Sequence, residues 1–364
     1  MLKYTNYNKQ IVPDNIKEAK LSFSSLDVSE EVQGYLNIDS NMNDQVKELL
    51  KDFISYNEPI EEVPVCVLSH MFDSKRSKFL VQLKAEAKLR DLSRPYLIFT
   101  YADQKELYQQ FENIKNVNVI YIPLEDKVYL TLSGKRQFIL EYCQKNNFNN
   151  AFFIEDDCFD FVLPVGALGA EGSFRNKRYV MSFNFLFDFW SYLIHSKDLT
   201  YSAPVNNMEF AFRDLTENPF IKINGQTVQA VHINTKLCKE KNINFDHNSG
   251  WDDYDMIIQQ CVYNKGTQAL IFSYNTPALK SGVSAMSASA DALEKRCLKN
   301  STLLIEKWGK SLVREDTKKG LYNAKVNWTT LKSALKQNID LKSLIGLSNE
   351  AAKELIKESK ITKK

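Results

Sequence analysis

Short apolar runs alternate with helically spaced segments between residues 63 and 157. The runs at residues 64–69, 96–100, 117–122 and 151–154 have the length of buried strands and predict four of them. Between them, apolar residues recur every three or four positions, which predicts helices over residues 78–90, after a cap at Asp103 and after a cap at Ser133. Strands that alternate with helices are typical of an α/β fold with a mainly parallel sheet flanked by helices.

The pattern loosens after residue 157. Residues 179–185, 228–233 and 269–273 predict further strands, and residues 253–264 predict a helix. The aromatic run at residues 183–192 favours core packing over the stacking of bases. The glycine-rich segment 166–172 lacks the spacing of a dinucleotide-binding motif, so we interpret it as a mobile loop able to close over a site.

Composition divides the chain of 364 residues into three parts. Residues 1–62 form an acidic, polar appendage with a predicted helix near residues 44–53, and residues 63–295 carry the α/β pattern. Residues 296–364 form a basic, helical extension anchored by Trp308 and Trp328. The net charge is −6 over residues 1–64 and +7 over residues 301–364. The basic end is able to contact phosphates, although a solvated lysine-rich helix accounts for the same charge.

Several functional classes are disfavoured by the sequence. The six cysteines are scattered and form no CxxC pair, so we expect reduced thiols and no zinc site. There is no GxxxxGK[ST] motif, which disfavours a P-loop NTPase. The chain has neither an apolar run of membrane-spanning length nor a signal-peptide core at its start, and we therefore expect a cytoplasmic protein.

Two clusters of acidic residues carry the candidate chemistry. Glu155, Asp156 and Asp157 follow a predicted strand directly, and Asp252 and Asp253 open a predicted helix. Open α/β sheets bind their ligands at the carboxyl ends of strands, and adjacent carboxylates favour a hard cation such as Mg²⁺ or Mn²⁺. An exposed acidic turn is the alternative for the first cluster, and helix capping is the alternative for the second.

As a set, these motifs resemble the GT-A nucleotide-sugar glycosyltransferases. Residues 155–157 match the D-x-D-type motif after a strand, with Glu in the first position, and residues 252–255 match the later [ED]-D-x-D motif. Lys135 and Arg136 match a basic position before the acidic strand. The resemblance covers residues 63–290 and implies a GT-A-like, Rossmann-like sheet. Many members have a late histidine that binds the metal, whereas no histidine follows His247 here.

The resemblance also implies roles for individual residues. Asp157 and then Glu155 are the expected ligands of Mn²⁺ or Mg²⁺, and Asp253, with Asp252 as the alternative, is the expected catalytic base of an inverting enzyme. The remaining expected contacts are to a nucleotide-sugar donor, which we expect to be UDP-linked. They come from Lys135, Arg136, Asp156, Arg76 and His70. His232 is interpreted as a core histidine.

Within the fold, the sequence is most similar to the phage TET-associated glycosyltransferases, which are thought to modify hydroxymethylated pyrimidines in DNA. The segments that carry this likeness are residues 130–136, 153–157, 232–235 and 250–260, with a closing segment at residues 282–284. DNA with hydroxymethylated bases is therefore the expected acceptor. The alternatives are a related enzyme that acts on a glycan, lipid or protein, a non-catalytic nucleic-acid-binding protein with a degenerate core, and a metal-dependent nuclease.

Overall fold

A computed structural model describes most of the chain as helices and strands around one large sheet. It describes residues 28–38, 44–58, 60–164, 178–205, 221–223, 229–246, 251–276, 290–318 and 321–361. The strands are β1 (Val65–Leu68), β2 (Tyr96–Tyr101), β3 (Val117–Ile122), β4 (Asn150–Glu155), β5 (Phe159–Pro164), β6 (Arg178–Val180), β7 (Tyr201–Val205), β8 (Ile221–Ile223), β9 (Ala230–Asn234), β10 (Gln268–Asn275), β11 (Val313–Lys318) and β12 (Leu321–Val326).

The helices flank this sheet and extend beyond it. They are α1 (Val28–Ile38), α2 (Asp44–Ile54), α3 (Lys78–Glu86), α4 (Lys105–Glu112), α5 (Leu132–Lys145), α6 (Phe183–Ser196), α7 (Thr235–Lys241), α8 (Asp252–Tyr263), α9 (Ala290–Trp308), α10 (Trp328–Lys336) and α11 (Asn349–Ile361). Short 3₁₀ segments lie at Ala102–Gln104, Lys127–Leu130 and Leu341–Leu344. No helix within the described ranges combines the length and the apolar character that a membrane crossing requires.

The sheet is mainly parallel, as the sequence predicts. Its central strands lie in the order β3-β2-β1-β4-β9-β7-β10. The pairs among β3, β2, β1 and β4 are parallel, β9 is antiparallel to both of its neighbours, and β10 is parallel to β7. Of these seven strands, β9 therefore runs against the other six. Strands β5, β6 and β8 extend the β10 side in antiparallel pairings. The predicted α/β fold is confirmed.

Helices cover both faces of the sheet because alternate residues of each strand point to opposite sides. On β1, Val65 and Val67 belong to a buried cluster that includes side chains of α1, α2, α3, α4 and α6. Cys66 and Leu68 belong to a second cluster, which contains side chains of α5 and α7. The strands of this region are buried on both faces and read as continuous apolar runs, which is why the sequence reveals them.

The aromatic helix α6 lies at the centre of the first cluster and ties the N-terminal helices to the sheet. Ser182 caps α6 by accepting a hydrogen bond from the backbone N–H of Phe185. Glu31 of α1 is buried and accepts a hydrogen bond of 3.0 Å from the backbone N–H of Ser182. Val32 of α1 and Leu50 of α2 are fully buried in the same cluster as Trp190 of α6. Residues 28–54 thus share their core with the sheet.

The C-terminal part forms a compact module on the outer side of α8. Strands β11 and β12 form an antiparallel hairpin, and α9, α10 and α11 pack around it. Ile257 and Ile258 of α8 are fully buried in the same apolar cluster as Leu304 and Trp308 of α9. We call residues 290–318 and 321–361 the C-terminal module.

The structure corrects several local predictions. The predicted strand at residues 179–185 ends at Val180, and residues 183–185 begin α6, because the cap at Ser182 and burial on all sides outweigh the strand preference of aromatic residues. Asp103 lies in a 3₁₀ segment and is not a cap, and Thr131 caps α5 in place of Ser133. The predicted loop at residues 166–172 and the segment 282–284 lie outside the described residues.

Candidate active site

The first acidic cluster lies at the carboxyl end of the central strand β4. In the parallel pairing of β1 and β4, Glu155 is the register partner of Leu68. The backbone N–H of Asp156 donates a hydrogen bond of 3.1 Å to the carbonyl oxygen of Leu68. The chain then leaves the sheet through Asp157, so the three acids stand at the edge where the parallel strands end.

Arg136 brings the two acidic clusters together. Its guanidinium Nη1 donates to Asp252 Oδ2 at 2.6 Å and to Asp253 Oδ1, and its Nη2 donates to Glu155 Oε1. The Arg136 side chain is 6% exposed, whereas those of Glu155, Asp252 and Asp253 are 21%, 15% and 33% exposed. One cation from α5 is thus shared by three carboxylates from β4 and α8. With all three acids ionised, this group carries a net charge of −2.

Burial and mutual repulsion change the acidity of this cluster. Burial raises the pKa of Glu155 to about 7 even though the charge of Arg136 opposes the shift. The pKa of Asp253 is also raised by burial, against the opposing effect of Arg136. Burial disfavours the charge on Arg136, but the three acids outweigh it and raise the guanidinium pKa. A cluster with these properties favours further positive charge nearby.

Asp156 belongs to a separate network on the other side of the strand ends. Ser77 Oγ donates to Asp156 Oδ2 at 2.8 Å, and Ser69 Oγ donates to the same oxygen. Because the Ser69 proton is directed to Asp156, the Tyr108 hydroxyl, 2.7 Å away, donates to Ser69. Burial raises the pKa of Asp156, against these hydrogen bonds. Asp156 is therefore oriented by hydroxyl groups, whereas Glu155 is held by a cation.

Lys135 lies in the Asp156 network although it is adjacent in sequence to Arg136. Its Nζ donates to the carbonyl oxygen of Ser69 at 2.7 Å and lies 4.2 Å from the centre of the Tyr101 ring. Burial lowers the pKa of Lys135 to about 8, against the attraction of Asp156. The two basic residues of α5 therefore contact different polar groups: Lys135 lies in the Asp156 network, and Arg136 binds the other acids.

His70 and Arg76 lie in the segment between β1 and α3, beyond the same strand ends. Both are exposed, and Arg76 immediately precedes Ser77, which binds Asp156. Gln104 Nε2 lies 2.9 Å from His70 Nδ1, and Gln104 Oε1 accepts from the backbone N–H of Met71 at 3.0 Å. Burial and then the charge of Lys135 lower the pKa of His70, so the ring is neutral at pH 7.

Asp157 is half-buried and lies next to the buried Cys158. Burial, followed by the charge of Asp156, raises the pKa of Asp157 to about 6. Among the described residues, no group of three or more His, Cys, Asp or Glu side chains surrounds one metal position. Mg²⁺ that is shared with phosphates needs one or two carboxylates, with phosphate and water oxygens as further ligands. Glu155 and Asp157 fit that kind of site, in which the substrate completes the coordination.

A small cavity opens between the strand ends and the start of α8. Its polar lining comes from Arg136, Glu155, Tyr201, Gln229 and Asp253. Leu68, Phe153, Val231 and Phe245 form its apolar walls. The cavity therefore borders both acidic clusters, which lie about a hundred residues apart in sequence.

Several residues of this site escaped the sequence reasoning. Ser69 and Ser77 orient Asp156, and Gln104 holds His70, yet isolated polar residues in loops give no signal by type alone. Asp255 belongs to the acidic motif in the sequence, but its side chain is fully buried and makes polar contacts behind α8. Its position two residues beyond Asp253 places it on the opposite side of the helix, which is a usable signal. The roles expected for the nine named site residues stay predictions.

His232, interpreted from the sequence as a core histidine, is fully buried in β9. Its Nε2 lies 2.9 Å from Asn150 Oδ1, and its Nδ1 lies 3.3 Å from Ser202 Oγ. Burial lowers the pKa of His232 to about 3, so the ring is neutral. It lies among core residues rather than in the acidic clusters.

Comparisons with known proteins give structural matches alone. No family model matches the chain, and no curated protein matches it. Similar solved structures include residues 1–349 of S. aureus TarS, alone and in complex with UDP, each with 12% identity and a TM-score of 0.37 over 67% of this chain and 66% of that chain. The mannosyltransferase PcManGT from Pyrobaculum calidifontis, in complex with GDP-Man and Mn²⁺, matches with 8% identity and a TM-score of 0.42 over 72% of this chain and 70% of that chain. The proposal on function therefore rests on the residues of this chain.

Proposed function

We propose that the protein is a glycosyltransferase that uses a nucleotide-sugar donor and a divalent metal ion. The observation that carries the proposal is the meeting of Glu155, Asp252 and Asp253 around Arg136 at the carboxyl ends of parallel strands. That edge is where open α/β sheets bind nucleotides and related ligands. A structural ion pair needs one acid for one cation, so the excess of carboxylate beside a cavity favours a catalytic role.

Asp157 and Glu155 would hold Mn²⁺ or Mg²⁺ together with the donor diphosphate. When bound, the ion would neutralise the charge that builds up on the leaving diphosphate. Lys135 would add positive charge on the side of Asp156, since its ammonium group is held between Tyr101 and the strand ends. Arg136 restrains Glu155 and keeps the acids of β4 and α8 at one edge of the cavity.

The Asp156 network would bind the nucleoside part of the donor. Asp156 is oriented by two serine hydroxyls and is suited to accept hydrogen bonds from a ribose. The exposed His70 and Arg76 flank this network on the loop after β1. We propose that this donor is UDP-linked.

Asp253 would remove the proton from the acceptor hydroxyl. It borders the cavity and is the most exposed of the three acids around Arg136, at 33%. Its raised pKa moves it towards the range in which a carboxylate accepts a proton efficiently. Asp252 is the alternative base, but its side chain is 15% exposed.

The catalytic assignment is tested by donor turnover. The protein is incubated with UDP-sugars and GDP-sugars, with Mn²⁺ or Mg²⁺, and the released nucleoside diphosphate is measured. Asp157→Asn is expected to lower the rate roughly 100-fold. Asp91→Asn, which removes an exposed acid paired with Lys115, should leave the rate unchanged. Equal rates for the wild type and Asp157→Asn, or no turnover of any donor, would remove the proposal and favour a non-catalytic binding protein.

For the acceptor, we propose a hydroxymethylated pyrimidine in DNA. The C-terminal module supports this proposal through the net charge of +7 over residues 301–364. Flipping a base out of a duplex costs a few kcal/mol, which phosphate contacts by the module would offset. Mass spectrometry of nucleosides after incubation with hydroxymethylated and plain DNA gives the test. A sugar mass on the hydroxymethylated base alone supports the proposal, whereas transfer to a glycan, lipid or protein hydroxyl alone refutes it.

The role of the basic module needs substitutions rather than a truncation. Removing residues beyond 300 would expose Ile257 and Ile258 of α8, so any loss of DNA affinity would reflect damage to the fold. Changing four exposed lysines of the module to Gln avoids this damage: Lys332, Lys336, Lys353 and Lys357. The matched control changes four exposed lysines elsewhere: Lys88, Lys105, Lys236 and Lys239. DNA affinity that falls equally in both variants would refute a specific role of the module.

A further inference from the structure

Helix α8 is held from two sides by different polar groups. Asp252 and Asp253 in its first turn bind Arg136 on the side of the sheet. Asp255 lies two residues further on, about 200° around the helix, and faces the C-terminal module. The short acidic stretch therefore divides between the candidate active site and a buried interface.

The carboxylate of Asp255 is fully buried and is satisfied mainly by α9. Trp308 Nε1 donates to its Oδ1 at 2.6 Å, and Lys307 Nζ donates to its Oδ2 at 3.0 Å. Gln259, one turn along α8, donates to Oδ2 at 2.8 Å. A buried carboxylate with these donors has one favourable position, because a shift of α8 against α9 would leave a charge without partners in the interior.

Two further contacts hold the same end of α8 on the C-terminal module. Trp251, which precedes the helix, donates from Nε1 to Ser301 Oγ of α9 at 3.2 Å. Lys307 also binds Asp246 Oδ2 at 3.1 Å, on the segment before α8. Ile257 and Ile258 continue the contact as part of the apolar cluster shared with the module. The module is thus packed as part of the same body as α8.

We propose that Asp255 is a positioning residue, through which the C-terminal module fixes the first turn of α8 and so sets Asp253 and Asp252 against Arg136. The proposal deepens the proposed function, since it assigns the module a role in the same site and rests on Asp253 being the base. Arg136 holds Asp252 and Asp253 from the side of the sheet. The contacts of Asp255 with Lys307 and Trp308 oppose a shift of α8 from the other side of the helix.

Two variants remove the contact in different ways. Asp255→Asn keeps the shape and an oxygen for Trp308 but loses the charge that Lys307 binds. Trp308→Phe keeps an aromatic ring in the interface and removes the N–H donor. Asp316→Asn is the matched control, because it removes an acid that is paired with Lys325 in the β11–β12 hairpin and leaves the contacts of Asp255 in place. Each variant is purified as the full chain, and its fold is checked by circular dichroism.

The first measurement is hydrogen exchange of the amides of residues 252–258, compared with those of β4. We expect exchange about tenfold faster in Asp255→Asn and Trp308→Phe, whereas the exchange of β4 in all variants, and of residues 252–258 in Asp316→Asn, should stay unchanged. The second measurement is steady-state donor turnover. A misplaced base lowers kcat about tenfold or more while the donor KM stays within about twofold, because donor binding does not use α8.

The outcomes separate this proposal from the proposed function. Wild-type exchange rates and wild-type kcat in both folded variants would overturn the positioning role. A raised donor KM at unchanged kcat would also overturn it, since the contact would then act on binding. If the wild type turns over no donor, the proposed function fails, and with it the link to catalysis. The exchange data then still decide whether Asp255 fixes the first turn of α8.

Discussion

Replacement of Arg136 by Met gives the sharpest test of how the two acidic clusters are held together. Methionine fills much of the same space without a charge, so the variant leaves Glu155, Asp252 and Asp253 close together with no cation between them. Removing one partner of a buried ion pair costs about 3–5 kcal/mol, because the other charge stays buried. These acids are 15–33% exposed, and water screens part of the repulsion. We therefore expect a loss of about 3 kcal/mol in unfolding free energy at pH 8.

The loss of unfolding free energy in Arg136→Met should be smaller at acidic pH, and the pKa of Glu155 gives the reason. That pKa is already raised to about 7 by burial, and without Arg136 it rises further. A group whose pKa is higher in the folded than in the unfolded state stabilises the fold at low pH and loses that effect as the pH rises through the folded pKa. At pH 5.5 Glu155 is protonated in the variant, so the loss should be smaller by about 1–2 kcal/mol.

Urea unfolding followed by circular dichroism at pH 5.5 and pH 8 measures both effects. Arg136→Lys should fall between the wild type and Arg136→Met, since one ammonium cannot reproduce the two nitrogens that bind these acids. Lys325→Met, which removes the partly exposed partner of Asp316, should cost no more than about 1 kcal/mol at either pH. If Arg136→Met is as stable as the wild type at pH 8, or loses the same amount at both pH values, Arg136 does not hold the acids as described.

Three further predictions concern the support of the site and the core. In Gly134→Ala the new Cβ would lie 1.9 Å from the carbonyl oxygen of Val128, so the start of α5 must move. Donor turnover should fall, and the free energy of unfolding in urea should drop by about 1–3 kcal/mol, whereas wild-type values of both would contradict the close approach. Burial lowers the pKa of His232 to about 3, so the free energy of unfolding should fall by about 3 kcal/mol as the pH drops from 6.5 to 4. His232→Gln should remove that loss, and a variant as sensitive to acid as the wild type would contradict the lowered pKa. Trp190→Ala should lower the free energy of unfolding by about 3–5 kcal/mol, since the indole is fully buried and its Nε1 donates to Ser202 Oγ at 2.9 Å. Trp190→Phe should lower it less, and equal midpoints of the two variants in thermal unfolding would contradict this.

The first four strands could be predicted because buried strands appear in the sequence as short apolar runs. β1, β2 and β4 lie between two layers of helices, so nearly every residue is apolar. The extension over residues 296–364 is predicted to be helical, whereas Val313–Lys318 and Leu321–Val326 form a hairpin. Val313–Lys318 is mostly polar and shows no apolar run that would indicate a strand. Its strand character arises from pairing with β12 and from packing on α9, and neither can be read from the segment alone.

The acidic residues of the site were found from their type and from their places after a strand and at a helix start. Their partners were not found, because contacts between α5, β4 and α8 depend on how the helices pack across the sheet. Arg136 was expected to face a diphosphate, and in the structure its guanidinium contacts three carboxylates. The neighbouring Lys135 lies beside Asp156. Because a helix turns by 100° per residue, two adjacent basic residues contact different polar groups. The amino-acid composition does not reveal which group each of them contacts.

The same helical rotation explains why the acids of residues 252–255 lie in two different surroundings. Asp252 and Asp253 bind Arg136, and their side chains are 15% and 33% exposed. Asp255 faces the interior. Its carboxylate is fully buried there because Trp308 and Lys307 donate hydrogen bonds to its oxygens. A carboxylate that is held inside the protein gives its helix a defined position, and a carboxylate at a cavity needs such a position to act on a substrate. In the proposed enzyme, the acidic stretch therefore consists of a reactive pair and its anchor, and the C-terminal module supplies the donors that hold the anchor.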